Sequence, residues 1–352
     1  MRVSRLLVLT ADYLPSNWSG IGVAVAHQAR AVANLGYDVR VLMPFPPAAG
    51  GDGVRLHELS HAQFPLEPRT GDVVHLHSLS LAEVAIELAR RFGLPLIYSA
   101  HSVVRLELEG REGCGRWAAV QNRVFQVADY VFFLSEPELD SALRLAPFLS
   151  DHASVLPNGL PEPPRCPSRQ GLGQSVMFAG RLTRSKGIDL AADLCRRLLR
   201  HQRRTRFVIA GGHGDFHEQG LILQLVKDFP NECRFAGWVG RIEMERLLSQ
   251  SALLIMPSRY EPFGLTALEA LRVGTPVVGS AVGGLRSILK PHSGGIAIEG
   301  FDIDTWVHVC RDLLTDEGRL MRLSAQGPQY VASNFNMDVL ARQFLKIIGN
   351  FY

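Results

Sequence analysis

Short apolar runs alternate with longer amphipathic ones along most of this chain. Residues 5–10 (RLLVLT) are almost unbroken in their apolar character and too short for a helix, which predicts a buried strand. A polar loop over 11–19 follows, then a helical pattern through 23–35 that stops at Gly36, a residue suited to the left-handed turn after a helix. Further strands are expected at 39–43, 54–56, 73–76, 96–98 and 130–134, with a helix at 81–92. Strands and helices alternating in this way predict an α/β fold of parallel sheets covered on both faces.

Between residues 156 and 168 the pattern breaks into LPNGLPEPPRCPS, whose prolines (157, 161, 163, 164 and 167) suit neither a helix interior nor a central strand. We read 161–170 as a linker between a first domain (1–160) and a second (171–330). Past it the alternation resumes, with strands expected at 175–178, 206–210, 234–235, 252–256 and 276–279. A last helix over 331–351 follows the second domain and is expected to pack back toward the first.

Composition narrows the class. A chain of 352 residues, 47% of them hydrophobic, suits two packed domains better than one growing core. The net charge of +3 makes no case for nucleic acid or for an acidic membrane surface. Lysine is scarce, at 186, 227, 290 and 346 only, against a background of arginine. The cysteines at 114, 166, 195, 233 and 310 have no C-x-x-C spacing, so neither a disulfide framework nor a zinc knot is indicated, and a cytoplasmic setting is expected. The apolar start is too short for a signal-peptide core, and no stretch approaches the ~18 apolar residues of a membrane span.

The chemistry concentrates in residues 251–289, SALLIMPSRYEPFGLTALEALRVGTPVVGSAVGGLRSIL. The strand ends at Pro257, so the loop that follows lies at a strand's carboxyl end, where open α/β sheets bind ligands. That loop carries Glu261, and the helix after it carries Glu269. A second strand end opens into Gly180-Arg181-Leu182-Thr183-Arg184-Ser185-Lys186-Gly187, with Arg181 and Lys186 as the cations a diphosphate would need. After the first strand, Ser19-Gly20-Ile21-Gly22 leads into a helix whose free N–H groups suit phosphate. Each signal has an ordinary reading: a tight turn for Gly20, a solvated basic turn for Arg181 and Lys186, a helical ion pair with Arg272 for Glu269. Together they point to a site.

Other clusters read as structure. Asp302 and Asp304 precede a helix near Thr305 and read as N-capping residues, not a metal-binding pair. His75 and His77 share one face of a strand, as metal ligands can, but are taken as a packed strand end. His213 and His217 follow a glycine-rich turn and read as loop residues. The turn 211–214 lacks the third glycine of a dinucleotide fingerprint. The arginines at 196, 197, 200, 203, 204 and 206 read as a solvated outer face.

The ordered motifs SGIG, LGYDVRVL, DVVHLH, SAHSV, ADYVFFLSE, VLPNG, FAGRLTRSKGID, FVIAGGHG, FAGWVG and PSRYEPFGLTALEALRVGTPVV span nearly the whole chain. They resemble the retaining family 4 glycosyltransferases of the GT-B fold. The resemblance implies two Rossmann-like domains facing a deep cleft and a nucleoside-diphosphate sugar, a UDP- or GDP-sugar, as donor. Glu261 falls where the family approaches the donor sugar, and Glu269 where it accepts hydrogen bonds from the ribose. The amides of Phe263, Gly264 and Leu265 would meet sugar hydroxyls and the distal phosphate. Arg181 and Lys186, following Gly180, fall on the diphosphate-stabilising places. Gly20 matches the glycine whose N–H reaches the β-phosphate, His101 the histidine that contacts the donor sugar, and Val239 the position whose backbone reads the base. No metal and no further cofactor are implied.

Three positions depart from the pattern: Ser19 stands for the first glycine of a pair, Pro161 for an aspartate after Asn158-Gly159, and Ser287 for a glutamate after Gly283-Gly284. None removes a core catalytic position. The expected activity is transfer of a sugar to an acceptor hydroxyl, with a related epimerase or a catalytically silent sugar-nucleotide-binding partner protein as alternatives. Asp12, Tyr13, Asn17 and Trp18 are the candidates to line a small-molecule acceptor. No nucleic-acid partner is expected, and peripheral membrane contact and oligomeric state are left open.

Overall fold

The structure is a computed structural model that describes residues 3–14, 19–46, 53–59, 66–108, 113–162, 175–201, 205–212 and 216–351. It divides into two compact units, residues 1–161 with 335–352, and residues 162–334. Most of the linker expected at 161–170, and the candidates Asn17, Trp18 and His213, lie outside the described residues.

Unit 1 holds seven strands: β1 (Arg5–Leu9), β2 (Asp38–Met43), β3 (Val54–Glu58), β4 (Asp72–Leu76), β5 (Leu96–Ala100), β6 (Tyr130–Phe133) and β7 (Ala153–Val155). Its helices are α1 (Gly20–Asn34), α2 (Ala82–Phe92), α3 (Val104–Glu107), α4 (Cys114–Val127) and α5 (Glu136–Leu145). The sheet order is β3-β2-β1-β4-β5-β6-β7, and every pairing is parallel. β1, β4 and β5 are buried along their whole length, which is why they read as continuous apolar runs. The chain order reverses between β1 and β4, so the loops after these strands flank a topological switch point.

Unit 2 holds β8 (Ser175–Ala179), β9 (Arg206–Ala210), β10 (Cys233–Gly237), β11 (Leu253–Met256), β12 (Val277–Ser280) and β13 (Gly295–Ile298). The helices α6 (Ile188–His201), α7 (Phe216–Asp228), α8 (Arg241–Gln250), α9 (Leu265–Arg272), α10 (Gly283–Ile288), α11 (Ile303–Thr315) and α12 (Glu317–Asn334) accompany them. The order is β10-β9-β8-β11-β12-β13, again parallel throughout, with the switch point between β8 and β11. Trp306 of α11 is fully buried in this unit's core among Phe178, Phe207 and Ile255.

Three elements differ from expectation. β7 and β13 are strands in addition to those expected: β7 is three half-buried residues, and β13 (GIAI) is a short apolar run that is mostly half-buried. The helix expected over 331–351 is two helices. α12 ends at Asn334, and α13 (Met337–Ile348) starts afresh with Asn336 as its cap, the side chain accepting from the amides of Asp338 and Val339. Between them the Leu160 amide donates to the Phe335 carbonyl, and the Met337 amide donates to the Leu160 carbonyl. This bridge ties α13 into unit 1, where Leu340, Ala341 and Phe344 are buried.

The loops of unit 2 are held together by glycines in close approach. A Cβ on Gly187, whose φ is +74°, would lie 1.9 Å from the Pro257 carbonyl oxygen, so the loop after β8 can touch the loop after β11 only with glycine there. Gly284, which opens α10 with Gly283, would place a Cβ 2.2 Å from the Phe263 backbone, and its amide donates to the Glu261 carbonyl at 2.8 Å. The obstructing atoms are backbone and cannot swing aside. Gly284→Ala is therefore expected to destabilise unit 2 by about 1–3 kcal/mol, as overpacking does. Gly159→Val should act similarly on the docking of α13, since a Cβ on Gly159 would already lie 2.9 Å from the Met337 Cα. Urea unfolding followed by circular dichroism checks both, and an unchanged midpoint in either variant contradicts the packing.

Candidate functional site

Most of the residues singled out in unit 2 lie on or just after the loops that flank its switch point, whereas Val239 follows β10. Lys186 ends a short 3-10 turn (Arg184–Lys186) after β8, and Glu261 lies in the loop after β11, the strand hydrogen-bonded to β8. Lys186 Nζ donates to Glu261 Oε2 at 2.8 Å, and Ser258 Oγ donates to the same oxygen at 3.4 Å. Glu261 is only 8% exposed. A carboxylate so deep is tolerated because the ammonium compensates it.

Neighbouring contacts hold this pair in place. The amides of Arg259 and Tyr260 both donate to the Ser185 carbonyl, at 2.8 and 3.3 Å. The Arg259 guanidinium forks onto Asp189 at 2.7 and 2.8 Å and lies over the Phe301 ring at 5.4 Å. Burial pushes the Asp189 carboxyl up, but the Arg259 hydrogen bonds and charge outweigh it and hold the group below its ordinary value. This lock was not foreseen from sequence, because Arg259 and Asp189 lie 70 residues apart along the chain.

Gly264 (φ +104°) precedes α9, which starts without a side-chain cap. The first amides of this helix thus have no side-chain cap, and they follow directly on the loop that carries Glu261; uncapped helix starts attract anions. Phe263 is buried and Leu265 is half-buried. Glu269 lies one turn after Leu265 and on the same face. Arg272 pairs with Glu245 at 3.8 Å, and its charge also acts on Glu269, as the ordinary reading of Glu269 expects. Burial raises the Glu269 pKa, Arg272 and Arg241 pull against that rise, and Glu245 adds to it. Gly180 (φ +156°) sits where a Cβ would meet nothing, Arg181 is exposed, and Val239 is half-buried just before α8.

In unit 1, Gly20 opens α1, and Ser19 is its N-cap, with Oγ accepting from the Gly22 amide at 3.0 Å. That accounts for a serine where a glycine pair was expected: the hydroxyl caps the helix. Gly20 is exposed, with open space where a Cβ would be. His101, just past β5, is half-buried and hydrogen-bonded to His77 at 2.9 Å. Asp12 is half-buried, whereas Tyr13 is 2% exposed. The Tyr13 ring thus packs inward, where the sequence alone suggested an open loop residue.

The clusters read as structure also resolve. Asp302 caps α11, accepting from the Thr305 amide at 2.9 Å, and Asp304 pairs with Arg197. Among the described residues no group of three or more His, Cys, Asp or Glu could hold a metal ion, and no helix is long and apolar enough to cross a membrane. His75 and His77 are not idle packing, however: they form a hydrogen-bonded row with His101.

The comparisons agree with this architecture. Residues 19–159 match the glycosyl transferase 4-like domain, and residues 173–330 match glycosyl transferases group 1. Glycogen synthase of Mycobacterium tuberculosis is 26% identical over 394 aligned residues, covering 96% of this chain and 92% of that one. A D-inositol 3-phosphate glycosyltransferase of Catenulispora acidiphila is 29% identical, over 75% of this chain and 69% of its own length. Among solved structures, sucrose-phosphate synthase from Thermosynechococcus elongatus has a TM-score of 0.82 at 21% identity, covering 99% of both chains. HepE of Anabaena, in complex with UDP and glucose, has a TM-score of 0.77 at 17% identity, covering 98% of this chain and 99% of its own. With both units matched in order and the parallel sheets in place, the chain belongs to the family 4, group 1 glycosyltransferases of the GT-B fold.

Proposed function

We propose that the protein moves a sugar from a UDP- or GDP-sugar to an acceptor hydroxyl with retention of anomeric configuration, in the cytoplasm. The processes it would serve are natural-product, small-glycoside or cell-envelope glycan synthesis. The observation that carries this reading is the Lys186–Glu261 pair at the switch point of unit 2. The relatives named glycogen synthase and D-inositol 3-phosphate glycosyltransferase support it, as does HepE with UDP and glucose bound.

In this reading the ammonium of Lys186 has three donors and spends one on Glu261, leaving the others for a diphosphate. Arg181 adds a planar fork. As the sugar–phosphate bond breaks, negative charge builds on the leaving oxygens, and fixed cations stabilise that state more than the bound donor. Glu261 accepts a sugar hydroxyl, Glu269 accepts from the ribose, and the amides of Phe263, Gly264 and Leu265 meet the sugar and distal phosphate. Gly20 supplies an N–H to the β-phosphate, His101 contacts the sugar, and the backbone at Val239 reads the base. The acceptor attacks from the face the phosphate leaves, and the departing phosphate oxygen takes its proton. No side chain has to become a covalent nucleophile, so the protein contributes positioning and charge.

Incubation with a panel of nucleotide sugars, read as free nucleotide and transferred sugar, tests the assignment. Transfer from a UDP- or GDP-sugar is expected. Nucleotide release without a transfer product would instead favour hydrolysis or epimerisation, and tight binding without turnover a silent partner. Lys186→Ala should lower turnover by about 100-fold or more with a much smaller change in nucleotide affinity, and equal losses in both would contradict a transition-state role. A second prediction follows from the raised Glu269 pKa. The ribose contact needs the carboxylate, so donor affinity should begin to fall, as the pH is lowered, above the range where an ordinary glutamate protonates. Calorimetric titration of wild type and Glu269→Gln checks this. The variant should bind more weakly at neutral pH and lose that acid limb, and an identical limb in both would remove Glu269 from the contact.

A further inference from the structure

The ends of β4 and β5 bring three imidazoles and a hydroxyl into one row. His75 and His77 are two residues apart and leave the same face of the sheet, as do Ser99 and His101 on the adjoining strand. Ser99 Oγ lies 2.8 Å from His75 Nε2, His75 Nδ1 lies 3.3 Å from His77 Nε2, and His77 Nδ1 lies 2.9 Å from His101 Nε2. His101 Nδ1 is the outer end of the row. On the inner side the Phe344 ring of α13 stacks on His75 at 4.8 Å. Met337 and Leu340 of the same helix close a cavity of about 20 Å³ beside His77, Ser99 and His101.

Burial keeps these rings neutral: it pushes His75 down to about 3 and His101 down to about 4, and it holds His77 well below the ordinary histidine value. A neutral imidazole carries one N–H and one bare nitrogen. Each nitrogen-to-nitrogen contact holds a single proton, so the tautomer of one ring dictates the next. Only two arrangements of the row satisfy every contact. In one, protons point inward, His75 Nε2–H donates to Ser99, and His101 Nδ1 is bare. In the other, the Ser99 hydroxyl donates to His75 Nε2, His75 Nδ1–H to His77 Nε2, and His77 Nδ1–H to His101 Nε2, which leaves the proton of His101 on Nδ1.

Ser99 selects between them. It is 5% exposed, and His75 Nε2 is the acceptor the fold gives its hydroxyl. In the inward arrangement that nitrogen carries a proton and the buried hydroxyl loses its acceptor, which is the costly outcome. We propose that Ser99, His75 and His77 are positioning residues that fix His101 as the Nδ1–H tautomer and aim a hydrogen-bond donor at a hydroxyl oxygen of the donor sugar. The sugar contact rests on the function proposed above; the row and its direction do not. A second nitrogen's hydrogen bond setting the tautomer of a working histidine is a general device, and here it runs through two further rings.

Long-range ¹⁵N–¹H spectra of the full chain labelled at histidine read the tautomers directly, with the ring signals assigned through His75→Gln, His77→Gln and His101→Gln. The expected result is the Nδ1–H pattern at all three rings of the wild type. An Nε2–H pattern at His101, or averaging between the two forms, overturns the proposal. Ser99→Ala should release the direction, so that His101 gains Nε2–H character and kcat/KM for the donor falls about tenfold, the effect of one misdirected hydrogen bond. Ser99→Thr, which keeps the hydroxyl, should restore both. A His101 tautomer unchanged in Ser99→Ala overturns the role of the serine, and a changed tautomer with unchanged kcat/KM overturns the sugar contact. If Ser99→Ala does not fold, the wild-type spectrum still decides. If no donor is turned over at all, the proposed function fails while the tautomers remain readable.

Discussion

The deep placement of the Glu261 carboxylate is the constraint on which unit 2 turns. At 8% exposure it needs a cation, and that cation, Lys186, comes from a different loop on the neighbouring strand. Breaking a buried pair by removing one member costs about 3–5 kcal/mol, because a charge is left uncompensated. The loops after β8 and β11 must therefore keep a fixed separation, and several contacts serve that end. Gly187 lets one backbone meet Pro257, the Arg259 and Tyr260 amides reach Ser185, and Arg259 clamps Asp189. Gly283 and Gly284 support the Glu261 and Phe263 backbone from below. In the function proposed here, groups held fixed in this way are the preorganisation that electrostatic catalysis requires.

Unit 1 rests on a different device. Its sheet ends in a row of neutral imidazoles, sealed by the helix that arrives last in the chain. Phe344 covers His75, and Leu160 bridges to Phe335 and Met337 so that α13 can lie there. Residues far apart in sequence thus bear on the orientation of one histidine.

Much of this was legible in the sequence, for identifiable reasons. The parallel α/β class showed because strands buried on both faces, such as β1, β4 and β11, are continuous apolar runs. Lys186 and Glu261 showed because each follows such a run and marks a strand's carboxyl end. The short β7 carried no such signal, and in β13 (GIAI) glycine and alanine thin the apolar run. The split of the last helix at 335–336 was hidden because Phe335 and Met337 keep the apolar pattern going while Asn336 turns to capping. His75 and His77 could be placed on one face, but their partnership with Ser99 and His101 depends on β5 lying beside β4, which spacing along the chain does not state. Tyr13 looked like a loop residue open to ligand and is buried, since a polar loop sequence does not reveal which of its rings folds inward.

The central claim, that the loops flanking the unit 2 switch point hold the nucleotide sugar, is tested most directly by amide hydrogen exchange of the full chain with and without saturating nucleoside diphosphate. Slowed exchange is predicted over residues 180–187 and 258–269, where Lys186, Glu261 and the first amides of α9 lie. Binding that leaves both segments unprotected, with protection elsewhere in unit 2, would contradict it.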